Sequence, residues 1–255
     1  MFKENPLPHI LFQFSPIKDS MKYRKIAWAL EKLVNPSKYS KGHPHTNIRW
    51  ISYHIPKTAG SSLRASLEQN YPSQVFGAYA STGAKEISRA EPLWLPKHCK
   101  IIHGHFKPHE SHLEVFPNSK RMVWVRDPVA RVYSLVRHLL QTGGDHPQYL
   151  ILKKIYVMNG VSKIEDIVFD MITNNTLPQF TKAYARFFER VSIDNIEFIG
   201  SVHRYQKDLE RLGKDMGVPL SESHKNIRNV SQNVPNYVTL RHYLRDEYDI
   251  VERYI

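Results

Sequence analysis

Cysteine is almost missing: the 255 residues contain one, Cys99. No intrachain disulfide can form, which fits a reducing compartment without excluding a secretory one. Cys99 reads either as a small buried hydrophobe or, with His98 and Lys100 beside it, as a thiolate. Long apolar runs are also missing. No stretch approaches the ~18–20 residues that cross a bilayer. The opening MFKENPLPHILFQFSP has prolines where a secretory signal needs an unbroken apolar segment. The expectation is a soluble, cytoplasmic chain, or one in the Golgi lumen if an anchor precedes these residues. Negative charge is scarce: 24 Asp and Glu face 36 Lys and Arg, a formal +12. That surplus favours an anionic partner (a nucleotide, an acidic glycan, nucleic acid or a membrane surface) and equally describes a basic surface with no partner. There is no Walker A pattern, no metal-ligand constellation and no recognised nucleic-acid motif.

What is present suffices for a core. Hydrophobic residues make up 41% and aromatics 11%, which argues against disorder over most of the length. The size fits one large domain, or a domain with an appended segment. Residues 1–47 differ from the rest: prolines at 6, 8, 16, 36 and 44 alternate with lysines. One helix is expected there, Asp19–Val34, capped by Asp19 or Ser20, with Ile26, Leu30, Leu33 and Val34 on one face. This region reads as a peripheral arm, and the main domain as 48–255. Strands are expected in IRWISYHI, CKIIHGH, Met122–Val125 and NIEFIGSV. Helices are expected in SSLRASLEQN, VARVYSLVRHLLQT, RYQKDLERLGKDMG and, as a single element, TLRHYLRDEYDIVERYI. Alternating strands and helices predict an α/β fold with a mainly parallel sheet. Ligands then sit beyond the carboxyl ends of the strands, where His54–Gly60, His103–His105 and Arg126–Asp127 would meet.

Two of these strand ends are built for anions. In HIPKTAGSSL, Pro56 stiffens the turn, Gly60 lets the backbone curl, and Ser61 and Ser62 take the first helical positions. Backbone N–H groups at a helix start, with its dipole, attract anions. Lys57 adds a full charge, and the Thr58, Ser61 and Ser62 hydroxyls add donors. Lysine precedes the glycine, so the loop is not Walker A; a plain helix cap remains the alternative. In RMVWVRDPVARVYS, Arg126 ends a strand, Asp127 and Pro128 suit a helix start, and Ser134 lies two turns on. Arg126 and Ser134 would clamp a second phosphate, unless Arg126 merely pairs with Asp127.

HIPKTAGSS resembles the 5′-phosphosulfate loop of sulfotransferases that use 3′-phosphoadenosine-5′-phosphosulfate (PAPS), in the carbohydrate branch of the heparan sulfate 2-O- and 6-O-sulfotransferases. VRDPVARVYS resembles the same branch's 3′-phosphate motif. IIHGHFKP resembles the segment bearing the catalytic base of the 2-O enzymes. FIGSVHRYQKDLERL resembles a later strand and helix, although His203 stands where many relatives have glutamate. The resemblance covers roughly Arg49 to the C-terminus. It implies a P-loop-kinase-like sandwich. It implies that Lys57 contacts the bridging and sulfate oxygens, that Thr58, Ala59, Gly60, Ser61 and Ser62 hold the 5′-phosphate, and that Arg126 and Ser134 hold the 3′-phosphate. His105 would be the base, with His103 beside it. PAPS would be the donor, 3′-phosphoadenosine-5′-phosphate (PAP) the product, and a hydroxyl of a glycan or glycolipid the acceptor, with no metal required and no nucleic acid bound. Lys85, Arg89, Lys97 and Lys107 would line an acidic acceptor groove or lie on a solvated face. Lys225 and Arg228 would close over the nucleotide. A nucleotide kinase or NTPase, and a non-catalytic polyanion-binding module, are the alternatives.

Overall fold

The computed structural model describes residues 21–221 and 234–255. Asp19, Ser20, Lys225 and Arg228, given roles above, lie outside the described residues. The chain separates into two compact units, Met1–Pro36 and Ser37–Ile255. The first contains helix α1, Met21–Val34. The second runs β1 (Trp50–Tyr53), α2 (Gly60–Asn70), β2 (Val75–Ala78), α3 (Ala84–Ser88), β3 (Ile101–Gly104), α4 (His112–Val115), β4 (Lys120–Val125) and α5 (Pro128–Thr142). It continues with α6 (Pro147–Ile155), α7 (Ile164–Thr173), α8 (Pro178–Thr181), α9 (Ala183–Phe187), β5 (Phe198–Ser201), α10 (Tyr205–Met216), α11 (Tyr237–Tyr243) and α12 (Arg245–Val251). Residues 37–47 belong to the second unit, where Tyr39 bridges Leu93 and His45 Nε2 bonds Pro96 O at 3.0 Å. Among the described residues no helix is long and apolar enough to cross a membrane.

The five strands form one all-parallel sheet in the order β2-β3-β1-β4-β5, flanked by helices. This is the α/β architecture expected. All four residues of β1 are buried, as a parallel sheet covered on both faces requires. One core joins Trp50, Ile101, Met122, Trp124 and Phe198 of the sheet to Leu63 and Leu67 of α2 and Leu209 and Leu212 of α10. Each such leucine contributes roughly 1.5–3 kcal/mol by leaving water. A second core is helical: Val129, Val132, Val136 and Leu139 of α5 meet Ile167 and Met171 of α7, Leu240 of α11 and Tyr248 of α12.

Several elements differ from the sequence reading, among them the short helices α3 and α4, which were not expected. Strand β2, VFGA, was not expected; it is four residues long with a glycine inside, too short to show alternation. The single C-terminal helix is broken at Leu244, whose φ of −103° and ψ of 23° separate α11 from α12. Leu240, Leu244, Tyr248 and Val251 are all buried, with α11 packed on α5 and α7 and α12 on α9.

The strand order places the site. From β1 the chain runs to β2 at one edge; from β4 it runs to β5 at the other. β1 and β4 are neighbours, so their outgoing loops diverge and leave a crevice at the carboxyl end of the sheet. The loop after β1 carries Lys57 and the loop after β4 carries Arg126. β3, on the other side of β1, ends in His103-Gly104-His105.

Candidate active site

The loop after β1 achieves its turn differently from the expectation. The left-handed residues are Lys57 (φ 73°) and Ala59 (φ 63°), not Gly60. Each such non-glycine conformation costs on the order of 1–3 kcal/mol and persists only where the surroundings enforce it. Gly60 is needed for another reason: a Cβ there would lie 2.0 Å from Cδ2 and Nε2 of His54. Ala59 is the N-cap of α2, and the first intrahelical donor is Leu63 N, to Ala59 O at 3.0 Å. The amides of Gly60, Ser61 and Ser62 therefore have no acceptor within the helix. Thr58 corrects the reading: it is 0% exposed, and its hydroxyl and amide both bond Ile55 O, at 2.8 and 3.3 Å. Its hydroxyl shapes the loop from inside and is not offered to a ligand; Ser61 and Ser62 line the cavity instead.

Arg126 follows β4 directly and is buried, with Nη1 3.4 Å from Lys57 O. Its backbone is clamped by one side chain. Arg126 N donates to Tyr184 OH at 2.8 Å, and that hydroxyl donates to Arg126 O at 2.7 Å. Tyr184 and Ala185 in turn donate their amides to Glu247 of α12, both at 2.8 Å. The alternative in which Asp127 serves as the partner of Arg126 is not what the hydrogen bonds show. Asp127 accepts from Ala130 N at 2.8 Å, and from the hydroxyls of Tyr237 and Tyr248 at 2.6 Å each. His203 Nε2 accepts from Asp127 N at 3.3 Å, so it supports the same turn. Ser134 and Arg137, one turn apart on α5, face the cavity with Arg126.

Three histidines stack behind the loop. The His54 ring lies 4.2 Å from that of His105 and 5.2 Å from that of His103, at 23° and 25°. His105 Nδ1 is 2.8 Å from His54 O. A carbonyl only accepts, so Nδ1 carries the hydrogen, and in the neutral ring Nε2 holds the lone pair. Burial of its inner side lowers the pKa of His105, although the ring's outer side meets the cavity. The pKa of His54 falls well below the ordinary value, through burial first and then the charges of its neighbours. His103, expected beside the base, is 0% exposed, bonds Ser52 Oγ at 2.8 Å, and does not line the cavity. Burial pushes its pKa down to about 3. It supports the stack from below. Gly104 is required between the two, since a Cβ there would lie 1.7 Å from Ala78 O on the adjacent strand.

These groups open on one cavity of about 1280 Å³. Lys57, Ala59, Gly60, Ser61, Ser62, Arg126, Ser134 and His105 all line it. So do Lys85, Arg89 and Lys107. Lys97 does not; it lies by a separate hollow at the amino ends of the strands, with Arg49 and Lys100. Among the described lining residues there is no carboxylate. Burial and then the charge of Arg126 lower the pKa of Lys57, and burial lowers that of Arg126. Two crowded cations without a carboxylate between them form a site whose electrostatics an anion relieves. Sequence reasoning placed His54 at the crevice without a role, and missed Arg137, His138 and His146 of the lining. The first reads as the end of a strand, and the others as ordinary helix and turn residues.

Three solved structures to which the chain is similar are sulfotransferases. One, from Alicyclobacillus acidocaldarius, is 14% identical, with 79% of this chain and 91% of that chain covered and a TM-score of 0.37. The mouse sulfotransferase SULT7A1, complexed with PAP, is 11% identical, with 79% and 63% covered and a TM-score of 0.38. A sulfotransferase domain from the curacin biosynthetic pathway is 14% identical, with 80% and 90% covered and a TM-score of 0.34. No protein-family model and no curated protein matches the chain. At these scores the likenesses carry no residue assignment, and the functional reading rests on the cavity.

Proposed function

We propose that residues 48–255 transfer a sulfuryl group from PAPS to a hydroxyl, with a sugar as acceptor. The observation that carries this reading is the single cavity shared by the Lys57–Ser62 loop and the Arg126/Ser134 pair. Two adjacent anion sites of this kind fit a nucleotide phosphorylated at both ends. The donor set agrees: helix-start amides, hydroxyls and cations line the space, and no described lining residue is a carboxylate.

When bound, PAPS supplies the sulfuryl group and, as PAP, the leaving group. The chain's residues do the rest. Gly60, Ser61 and Ser62 hold the 5′-phosphate by their amides. Lys57 neutralises the charge that builds on the bridging oxygen as the S–O bond to phosphate breaks. Arg126 and Ser134 hold the 3′-phosphate and fix the nucleotide's direction. His105 Nε2 takes the proton of the acceptor hydroxyl while its oxygen bonds to sulfur. His54 positions that base, with its carbonyl on Nδ1 and its ring against the imidazole face. Lys85, Arg89 and Lys107 give the acceptor side a positive rim, which suits an acidic sugar. Arg89 and Lys107 also pair with Glu91 and Glu189, at 3.5 and 2.7 Å.

The test is a thermal-shift or calorimetric titration with PAP. At a hundredfold excess over its Kd, a ligand of the native state adds about 2.7 kcal/mol of stability. PAP is expected to stabilise the parent, ATP much less, and the Lys57→Ala/Arg126→Ala variant not at all. An unshifted parent, or equal shifts by PAP and ATP, would overturn the assignment.

A further inference from the structure

The described residues include twelve exposed large apolar side chains, and five of them lie on α1: Tyr23, Ile26, Leu30, Leu33 and Val34. The other seven are scattered over the second unit. On α1 they recur at helical spacing and form one continuous apolar stripe. Their exposures run from 50% for Ile26 to 88% for Val34. Scattered apolar side chains need no explanation, whereas a concentrated stripe marks a surface that something covers.

Charge identifies what covers it. Within α1 the sequence has Lys22, Arg24, Lys25 and Lys32 against one acid, Glu31, for a net charge of +3. Arg24 and Lys32 stand on the side opposite the stripe, and Arg24 lies over the Trp28 ring at 5.7 Å. A helix with an apolar stripe on one side and cations on the other is matched by an anionic bilayer. Its apolar side enters the acyl boundary while its cations remain among the headgroups. Among the described residues no helix, α1 included, is long and apolar enough to cross a bilayer, so the helix lies in the plane.

We propose that α1 is a membrane-surface helix that docks this chain on anionic lipid. The site read above has no part in this inference, and either can fail without the other.

The test is sedimentation of the full chain with vesicles of phosphatidylcholine alone, or mixed with phosphatidylserine. The parent is expected to sediment with the mixed vesicles only, and high salt to release it. Leu30→Glu with Leu33→Glu is expected to reduce partitioning by roughly 100-fold or more, as two apolar side chains are lost and two charges of the wrong sign gained. Arg24→Gln with Lys32→Gln leaves the stripe intact and should reduce it by roughly fivefold per charge. An unchanged thermal midpoint in both variants excludes unfolding as the cause. Absence of sedimentation with either vesicle overturns the proposal, as does equal binding to both. A dimer in light scattering that the Leu30/Leu33 variant dissolves, with no vesicle effect, also overturns it and assigns the stripe to a second copy.

Discussion

A base is useful only in its neutral form, and His105, the base proposed above, is held there by its surroundings. Its pKa lies below the ordinary 6.5 because the packed inner side of the ring is out of water. Activity is therefore expected to be flat through neutral pH and to fall only as the pH drops below that of an ordinary histidine. His54→Ala opens the inner side to solvent, removes the penalty on the charged form and raises the pKa. Its kcat profile should show the acid limb displaced upward, with PAP affinity unchanged; an unmoved limb would remove His54 from the positioning role. His105→Ala should lose ~10²-fold or more in turnover, again with PAP binding kept, and near-normal turnover would end its assignment as base. Much of this neighbourhood was legible as residue types. Lys57, Ser61, Ser62, Arg126 and Ser134 follow from polar strand ends and helix starts. The histidine stack was not legible. His103 lies in β3, while His54 and His105 directly follow β1 and β3, and only the parallel register of β1 on β3 brings their rings together.

At the scale of elements, the start of α2 and the end of β1 are locked by contact between Gly60 and the His54 ring. A methyl at position 60 must displace that ring. Gly60→Ala is expected to cost roughly 1–3 kcal/mol, as overpacking usually does. In a His54→Ala background most of that cost should vanish, because the obstructing atoms are gone. Denaturant unfolding of the two single variants and the double variant measures the coupling; strict additivity would mean that the contact is not what fixes the glycine. The elements themselves were largely readable. Branched and aromatic runs marked four of the five strands, and Asp127-Pro128 and Gly143 bounded α5 where the sequence placed them. The failures have causes beyond local pattern. β2 is ordered by pairing with β3 rather than by its own alternation. The division of the C-terminal helix at Leu244 goes with different partners for its halves, α5 and α7 for α11 and α9 for α12, which no local period reports.

For the larger unit, Ser37–Ile255, several buried histidines set the response to acid. Burial pushes His103 down to about 3 and His112 down to about 4, and lowers His54 as well. Above pH 6.5 both folded and unfolded forms are neutral and the stability is fully present. As the pH falls below that value, the unfolded chain takes up protons that the folded one refuses. Each histidine then removes up to about 1.36 kcal/mol per pH unit until its folded pKa is reached. The urea midpoint is expected to fall steadily from about pH 7 to pH 4.5, and His112→Gln to lessen the slope; a midpoint independent of pH in both proteins would contradict this account. The support of Arg126 has a different consequence. The arginine emerges midway along the chain, yet its backbone is held by Tyr184, Tyr184 by Glu247, and the adjoining aspartate by Tyr237 and Tyr248. During synthesis the strand bearing Arg126 leaves the ribosome long before these props. A nascent chain can thus own a complete sheet while the turn bearing Arg126 is still unsupported, and the nucleotide site proposed above is finished only when α11 and α12 dock.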